Sequence, residues 1–235
     1  MSALITFAKV NKNFGNIQTL EDISFEIYEG EFVFIVGASG AGKTTILKLL
    51  LGEYKPSNGE IVVDGKKLST LSRREIPGYR QKIGIVFQDF KLLNERTVRE
   101  NIEIPLAVKN VPEPEWQIRV DKILELVGLS QRAELFPSQL SGGEVQRVAI
   151  ARALVTNPKF IFADEPTGNL DWETADQIME LLARINKEGK TVIVTSHHKS
   201  LIEKLKKRVV EMKNGKIVTD SGSKKENRKE DKKKE

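Results

Sequence analysis

The hydrophobic pattern changes character along the chain. Leu4, Thr6, Ala8 and Val10 alternate with Ile5, Phe7 and Lys9, and Ile23, Phe25 and Ile27 alternate with Ser24 and Glu26. A period of two puts successive side chains on opposite faces, so both segments predict half-buried strands. Phe32-Val33-Phe34-Ile35-Val36 is continuous, apolar and rich in β-branched residues. That is the pattern of a strand covered on both faces, as in a parallel sheet. Glycines follow it, and then a segment that predicts a helix over Lys43–Leu51. Ile61-Val62-Val63 ahead of Asp64-Gly65 predicts a strand and turn, and Ile83-Gly84-Ile85-Val86-Phe87 another buried strand.

From about Asp89 to Asn157 the period becomes helical. Trp116, Val120, Ile123, Leu124 and Val127 share one face, with Gly128 as the stop. Val145, Val148, Ala149 and Leu154 predict a second helix, closed by Asn157-Pro158. Strands return at Phe160–Ala163 and Thr191–Thr195, separated by an amphipathic helix marked by Ile178, Leu181, Leu182 and Ile185. Val209–Met212 and Lys216–Val218 flank Asn214-Gly215, a strong hairpin signal. Buried strands alternating with helices imply an α/β fold with a parallel sheet and right-handed crossovers. After Ser221 the sequence is nearly devoid of apolar residues, which predicts a disordered tail over 222–235.

Composition narrows the function. The chain has 235 residues, 38 Lys plus Arg and 33 Asp plus Glu, a formal charge of +5. Seven basic and four acidic residues fall within Lys224–Glu235, so +3 of the excess belongs to the tail and only +2 to the rest. The folded part therefore lacks the charge of a nucleic-acid binder, and no nucleic acid is expected as a partner. The tail carries at most a weak attraction to anionic lipid. There is no cysteine, which excludes disulfides, thiolate metal sites and thiol nucleophiles. Neither a signal peptide nor an apolar run of membrane-spanning length is expected.

The chemistry concentrates in short motifs. Gly37-Ala38-Ser39-Gly40-Ala41-Gly42-Lys43-Thr44 fits G-x-x-x-x-G-K-[ST] between a buried strand and a helix, the context of a phosphate-binding P-loop. Glycines let consecutive backbone N–H groups surround a phosphate, and the helix N-terminus favours the same anion. Lys43 is placed to reach the β- and γ-phosphates, and the Thr44 hydroxyl to ligate Mg²⁺. Phe160-Ile161-Phe162-Ala163 leads into Asp164-Glu165 at the carboxyl end of a strand, where α/β proteins bind ligands. Asp164 suits a metal held through water, and Glu165 a general base for attacking water. Leu140-Ser141-Gly142-Gly143-Glu144 opens a further helix about 20 residues before the acidic pair, a second anion-binding element.

Two separated phosphate motifs on one chain resemble the ATP-binding-cassette ATPases, whose signature motif reads LSGGQ. Phe14 stands where that family has an aromatic that stacks on adenine. Gln88 matches its Q-loop, Asn169-Leu170-Asp171 its D-loop, and His197 its switch histidine, with His198 where the family commonly has Asp. The resemblance covers residues 1–220. It implies a P-loop NTPase, RecA-like core with an N-terminal antiparallel β subdomain. A helical subdomain of about 89–157 would be inserted in a domain of 1–221.

It also implies that ATP is held by Phe14, Gly37, Ala38, Ser39, Gly40, Ala41, Gly42, Lys43, Thr44 and Thr45. Thr44, Gln88 and Asp164 would hold Mg²⁺, and Glu165, His197 and Gln88 would serve hydrolysis. Ser141, Gly142, Gly143 and Glu144 would act on the ATP of a second copy in a head-to-tail homodimer, with Asp171 in the D-loop. The segments Phe87–Leu93, Arg96–Asn101, Phe136–Leu140 and Lys207–Met212 look like the cell-division branch of the family. That branch works with an integral membrane subunit at the cytoplasmic face of the bacterial membrane. Glu165–Asp171 is shared with ATPases of lipoprotein and macrolide exporters, which stand as the alternative, and Asp89 is the main discriminator. A soluble nucleotide-switched binding module is the alternative of another class.

Overall fold

The computed structural model describes residues 3–222, so the expectations for the tail beyond Gly222 lie outside the described residues. In chain order the elements are β1 (Ile5–Phe14), β2 (Ile17–Ile27), β3 (Phe32–Val36), α1 (Lys43–Leu50), β4 (Asn58–Val63), β5 (Lys66–Lys67), α2 (Ile76–Arg80) and β6 (Ile83–Val86). They continue with α3 (Val98–Val108), α4 (Trp116–Val127), α5 (Gly142–Leu154), β7 (Phe160–Asp164), α6 (Trp172–Lys187), β8 (Thr191–Ser196), α7 (Lys199–Leu205), β9 (Arg208–Lys213) and β10 (Lys216–Asp220). The chain divides into two units, residues 1–76 with 193–235, and residues 77–192.

In the first unit, β2, β1, β4 and β5 form an antiparallel sheet in that order. Pairing of Phe7 with Phe25 stacks their rings at 4.7 Å. The strict alternation expected from Leu4 to Val10 does not hold. The register against β2 shifts between Phe7 and Val10, Lys9 turns left-handed at φ 48°, and Ala8 and Lys9 both face out. This is a β-bulge, which adds a residue and returns Val10 to the buried face. The continuous apolar run becomes β3, which pairs in parallel with β9 in a second sheet ordered β10, β9, β3, β8 within this unit. β9 and β10 turn on Asn214 (φ 50°) and Gly215 (φ 75°), the pair of left-handed residues that a tight hairpin needs.

In the second unit, β6 and β7 pair in parallel, Ile83 to Phe160 through Val86 to Ala163. Helix α5 lies close against β6: a Cβ on Gly84 would sit 2.6 Å from the Ala153 carbonyl oxygen. Helices α3, α4 and α5 pack on one another. α4 runs from Trp116 to Val127 and stops at left-handed Gly128, as the pattern predicts. α3 begins with a reciprocal cap: Thr97 Oγ1 accepts from the Glu100 N–H, and the Thr97 N–H donates to Glu100 Oε2 at 2.7 Å.

Asn101, fully buried in α3, anchors the preceding loop. It accepts from the Leu93 N–H at 2.8 Å and donates to the Leu93, Arg96 and Thr97 carbonyls. Asn101→Ala removes these part-buried bonds and leaves a small cavity in the helix packing, so it should lower stability by about 1–2 kcal/mol in a denaturant titration. Asn101 contributes no such anchor if the transition midpoint is unchanged.

Candidate functional site

The first unit carries the phosphate loop. β3 delivers the chain to Gly37, and α1 starts at Lys43. A Cβ on Gly37 would meet the Met212 carbonyl oxygen at 2.5 Å and Ala41 Cβ at 2.8 Å. Gly40 (φ 78°) and Gly42 (φ 105°) are left-handed, and Gly42 caps α1 without a side chain. Only 7% of Lys43 is exposed. Its ammonium curls back over the loop, donating to the Gly37 carbonyl at 2.7 Å and the Ala38 carbonyl at 3.3 Å. Ala38, Ser39 and Gly40 are open to solvent, Thr44 is exposed and Thr45 half-buried. A backbone cradle with a cation over it and a hydroxyl beside it matches the donor set that a phosphate–Mg²⁺ group requires.

Two further sequence candidates lie in this unit. Phe14, at the end of β1, keeps 40% of its surface exposed and is no core aromatic. His197 follows the last residue of β8 and is exposed; its ring lies 4.3 Å from that of His198, which is half-buried.

The second unit carries the acidic pair. Asp164 ends β7, and Glu165 next to it is left-handed at φ 47°. A non-glycine residue there is strained by roughly 1–2 kcal/mol and needs surrounding bonds to persist. The Gly168 N–H donates to the Glu165 carbonyl at 3.1 Å. The same turn grips Gln88: Asn169 Nδ2 donates to the Gln88 carbonyl at 3.0 Å, and a Cβ on Gly168 would lie 3.1 Å from Gln88 Nε2. Gln88, Glu165 and Asn169, far apart in sequence, therefore belong to one hydrogen-bonded cluster.

The signature segment is a capped helix start. Ser141 caps α5, accepting from the Glu144 N–H, while Glu144 Oε2 accepts from the Ser141 N–H at 2.9 Å and its hydroxyl at 2.8 Å. Arg132 donates to Glu144 Oε1 at 3.0 Å. The Ser141 hydrogen bonds, with Arg132 beside them, hold the Glu144 carboxyl below the usual range, so it is charged at neutral pH. Glu144 thus turns back on the cap. Asp171 likewise caps α6, accepting from the Thr174 N–H at 3.0 Å and hydroxyl at 2.6 Å, which lower its pKa.

The sequence reading missed Arg152. From α5 its guanidinium donates to the carbonyls of Phe90, at 2.7 Å, and Lys91. Phe90 (φ 58°) and Lys91 (φ 53°) are consecutive left-handed residues just after Gln88. No local pattern connects residue 152 to residues 90 and 91; only the packing of α5 does.

These residue sets are those of a P-loop nucleoside triphosphatase. The ABC transporter family matches residues 20–168, and the chain belongs to it: it is an ATP-binding-cassette ATPase with a P-loop core, an antiparallel β sheet and a helical part. It is 46% identical over 218 residues to the cell division ATP-binding protein FtsE of Bacillus subtilis, covering 92% of this chain and 96% of that one. It is 47% identical over 220 residues to the methionine import ATP-binding protein MetN of Geobacillus kaustophilus, covering 92% of this chain and 64% of the relative. The chain thus spans about two thirds of that relative's length. Among solved structures, the dimeric MJ0796, a bacterial ABC transporter cassette, superimposes with a TM-score of 0.82 at 40% identity, over 92% of this chain and 97% of the other.

Arg152→Ala should free the strained Phe90-Lys91 turn, and hydrogen–deuterium exchange over residues 88–93 should rise about tenfold. Arg152→Lys, with one donor group in place of a fork, should fall between. Unchanged exchange in both variants would show that the turn holds itself.

Proposed function

We propose that the chain is the ATP-hydrolysing subunit of a membrane complex of the cell-division type, working as an ATP-joined homodimer with an integral membrane partner resembling FtsX. The observation that carries this reading is the run of FtsE matches, which extend over 92–93% of this chain and 95–96% of theirs. The Asp89-containing segment after Gln88 supports the same branch. A methionine importer's ATPase is the second reading, favoured by the 47% identity to MetN. No helix among the described residues is long and apolar enough to cross a membrane, and in this reading the integral membrane partner does the spanning.

In the proposed mechanism, Phe14 stacks on the adenine ring and the backbone from Gly37 to Thr45 holds the phosphates. Lys43 leaves the Gly37 and Ala38 carbonyls for the phosphate oxygens, a stronger charge-assisted pairing. Thr44, Gln88 and Asp164 would hold Mg²⁺, which would supply charge neutralisation on the phosphates when bound. Glu165 accepts the proton of the attacking water, and His197 donates to the γ-phosphate. Ser141, Gly142 and Gly143 present a helix N-terminus to the ATP of the second copy. ATP then joins the copies because both bind it, and its hydrolysis removes the shared ligand.

The membrane partner docks beside the Q-loop, over the segment Asp89–Asn101. A cavity of about 550 Å³ in the second unit supports this placement. Ile83, Phe87, Ile104 and Pro105 give it apolar walls, and Lys91 and Arg152 reach its lining. Since Arg152 also holds the turn after Gln88, a partner seated there bears on the Q-loop directly.

Glu165→Gln should retain ATP binding, lose turnover by at least about a hundredfold and accumulate as dimer in size-exclusion chromatography with ATP. Near-normal hydrolysis would reject Glu165 as the base. Lys43→Ala should raise the Kd for ATP by about tenfold or more. Mixing Ser141→Arg subunits with Lys43→Ala subunits tests the shared site: each mixed dimer retains one composite site free of both substitutions, so turnover should partly recover on mixing. Purification with membranes decides the branch. An FtsX-like partner supports the first reading; methionine-stimulated turnover with an importer's membrane subunit replaces it with the second.

A further inference from the structure

Phe14 does not stand alone. Tyr54, just beyond α1, meets its ring edge-on, with centroids 5.0 Å apart and planes at 75°. Lys12 Nζ lies over the Phe14 ring at 4.8 Å and 5.5 Å from the Tyr54 ring, and donates to the Lys55 carbonyl at 2.9 Å. Lys48, on α1, places its ammonium 5.3 Å from the Tyr54 ring and 3.4 Å from its hydroxyl. The Tyr54 N–H also donates to the Lys48 carbonyl at 3.2 Å. All of these residues belong to the first unit, as does the P-loop.

The arrangement has a mechanical consequence. Phe14 sits at a hairpin end beside left-handed Gly15, and an exposed ring there is free to rotate unless something grips it. Tyr54 grips it and is itself fixed to α1, the helix that begins with Lys43 and Thr44. Lys12 takes one face of the ring, while 40% of the side chain stays open to a ligand. Fixing a binding group beforehand removes an ordering cost that binding otherwise bears.

We propose that Tyr54 and Lys12 are positioning residues that hold Phe14 as the platform for the nucleobase, and so set the share of ATP affinity that comes from adenine. This rests on the reading of Phe14 as the adenine-stacking residue. The two lysines and two aromatics form one braced cluster, in which Tyr54 links the base platform to the phosphate loop.

The test compares ATP with inorganic tripolyphosphate, which offers the P-loop the same phosphates without a base. Both are measured on the full chain with Mg²⁺, ATP by direct titration and tripolyphosphate by competition. Tyr54→Leu should weaken ATP binding about three- to tenfold, the range of one aromatic contact, and leave tripolyphosphate unchanged. Turnover at saturating ATP should stay within about twofold, and Tyr54→Phe should restore ATP affinity. Lys12→Gln should weaken ATP in the same selective way, and it carries the test if Tyr54→Leu fails to fold. Unaltered ATP affinity, or equal loss for both ligands, overturns the proposal. Phe14→Ala separates the two claims. If it leaves the ATP-to-tripolyphosphate ratio unchanged, the Phe14 reading itself fails. If it lowers the ratio and Tyr54→Leu does not, only the bracing role fails.

Discussion

The phosphate loop depends on one close approach, that of the Gly37 backbone to the Met212 carbonyl of β9, where no side chain fits. Parallel pairing of β3 with β9 fixes that approach, Val36 lying opposite Glu211. From there the loop is wedged from the other side. A Cβ on Gly42 would lie 2.6 Å from Leu20 Cδ2, and one on Gly215 would lie 2.4 Å from the Thr19 carbonyl oxygen. The Gly215 N–H reaches the Ala41 carbonyl, and the Glu21 N–H reaches the Gly215 carbonyl. The loop is thus gripped between β2 and the β9–β10 hairpin, with glycine at each point of contact. Its backbone donors are aimed before any ligand arrives, which is what makes a phosphate site strong.

The turns after Gln88 and Asp164 use the opposite device. In the phosphate loop the left-handed positions are glycines, whereas in these turns they are Phe90, Lys91 and Glu165, held by hydrogen bonds. Asn169 holds Gln88, and Arg152 holds Phe90 and Lys91. Glycine adopts these angles without strain, whereas Phe90, Lys91 and Glu165 keep theirs only while the bonds around them hold.

The core elements were legible because their signals are local. α4 carries its period and its stop within 13 residues, and Asn214-Gly215 names its own hairpin. β1 was legible as a strand but not in its facing, because nothing in Ala8-Lys9 announces the bulge; Ser24, across the sheet, accepts the Lys9 N–H. The start of α3 was readable in principle, since Thr97-x-x-Glu100 is a capping box, but the apolar period alone does not show it. α6 begins at Trp172, earlier than its apolar face suggests, because Asp171 caps it. The P-loop and the Asp164-Glu165 pair stand out by local pattern, and Phe14, Gln88, His197 and Asp171 only through the family resemblance, whereas nothing in the linear sequence marks Arg152, Lys12 or Tyr54. Their roles arise from packing that joins residues 40 to 62 positions apart, and a linear pattern carries no record of it.

Glu144 shows how one substitution within a motif is absorbed. A carboxylate at a helix N-terminus that is to receive phosphate opposes the incoming anion, because like charges repel at short range. Here the carboxylate is already engaged. Its two oxygens are divided between the Ser141 cap and Arg132, and the guanidinium offsets its charge. The same bonds keep it ionised, so the cap and the ion pair persist together at neutral pH. Gly143 lies against Thr174, with room for no Cβ: it would fall 2.4 Å from Thr174 Cγ2. Thr174 is in turn bonded to Asp171. The D-loop cap and the signature helix are therefore packed as one piece, and a shift of either start displaces the other. In the proposed dimer the helix end would keep its dipole and the Gly142 and Gly143 backbone to meet an anion, because the acidic side chain is already committed to stabilising that end.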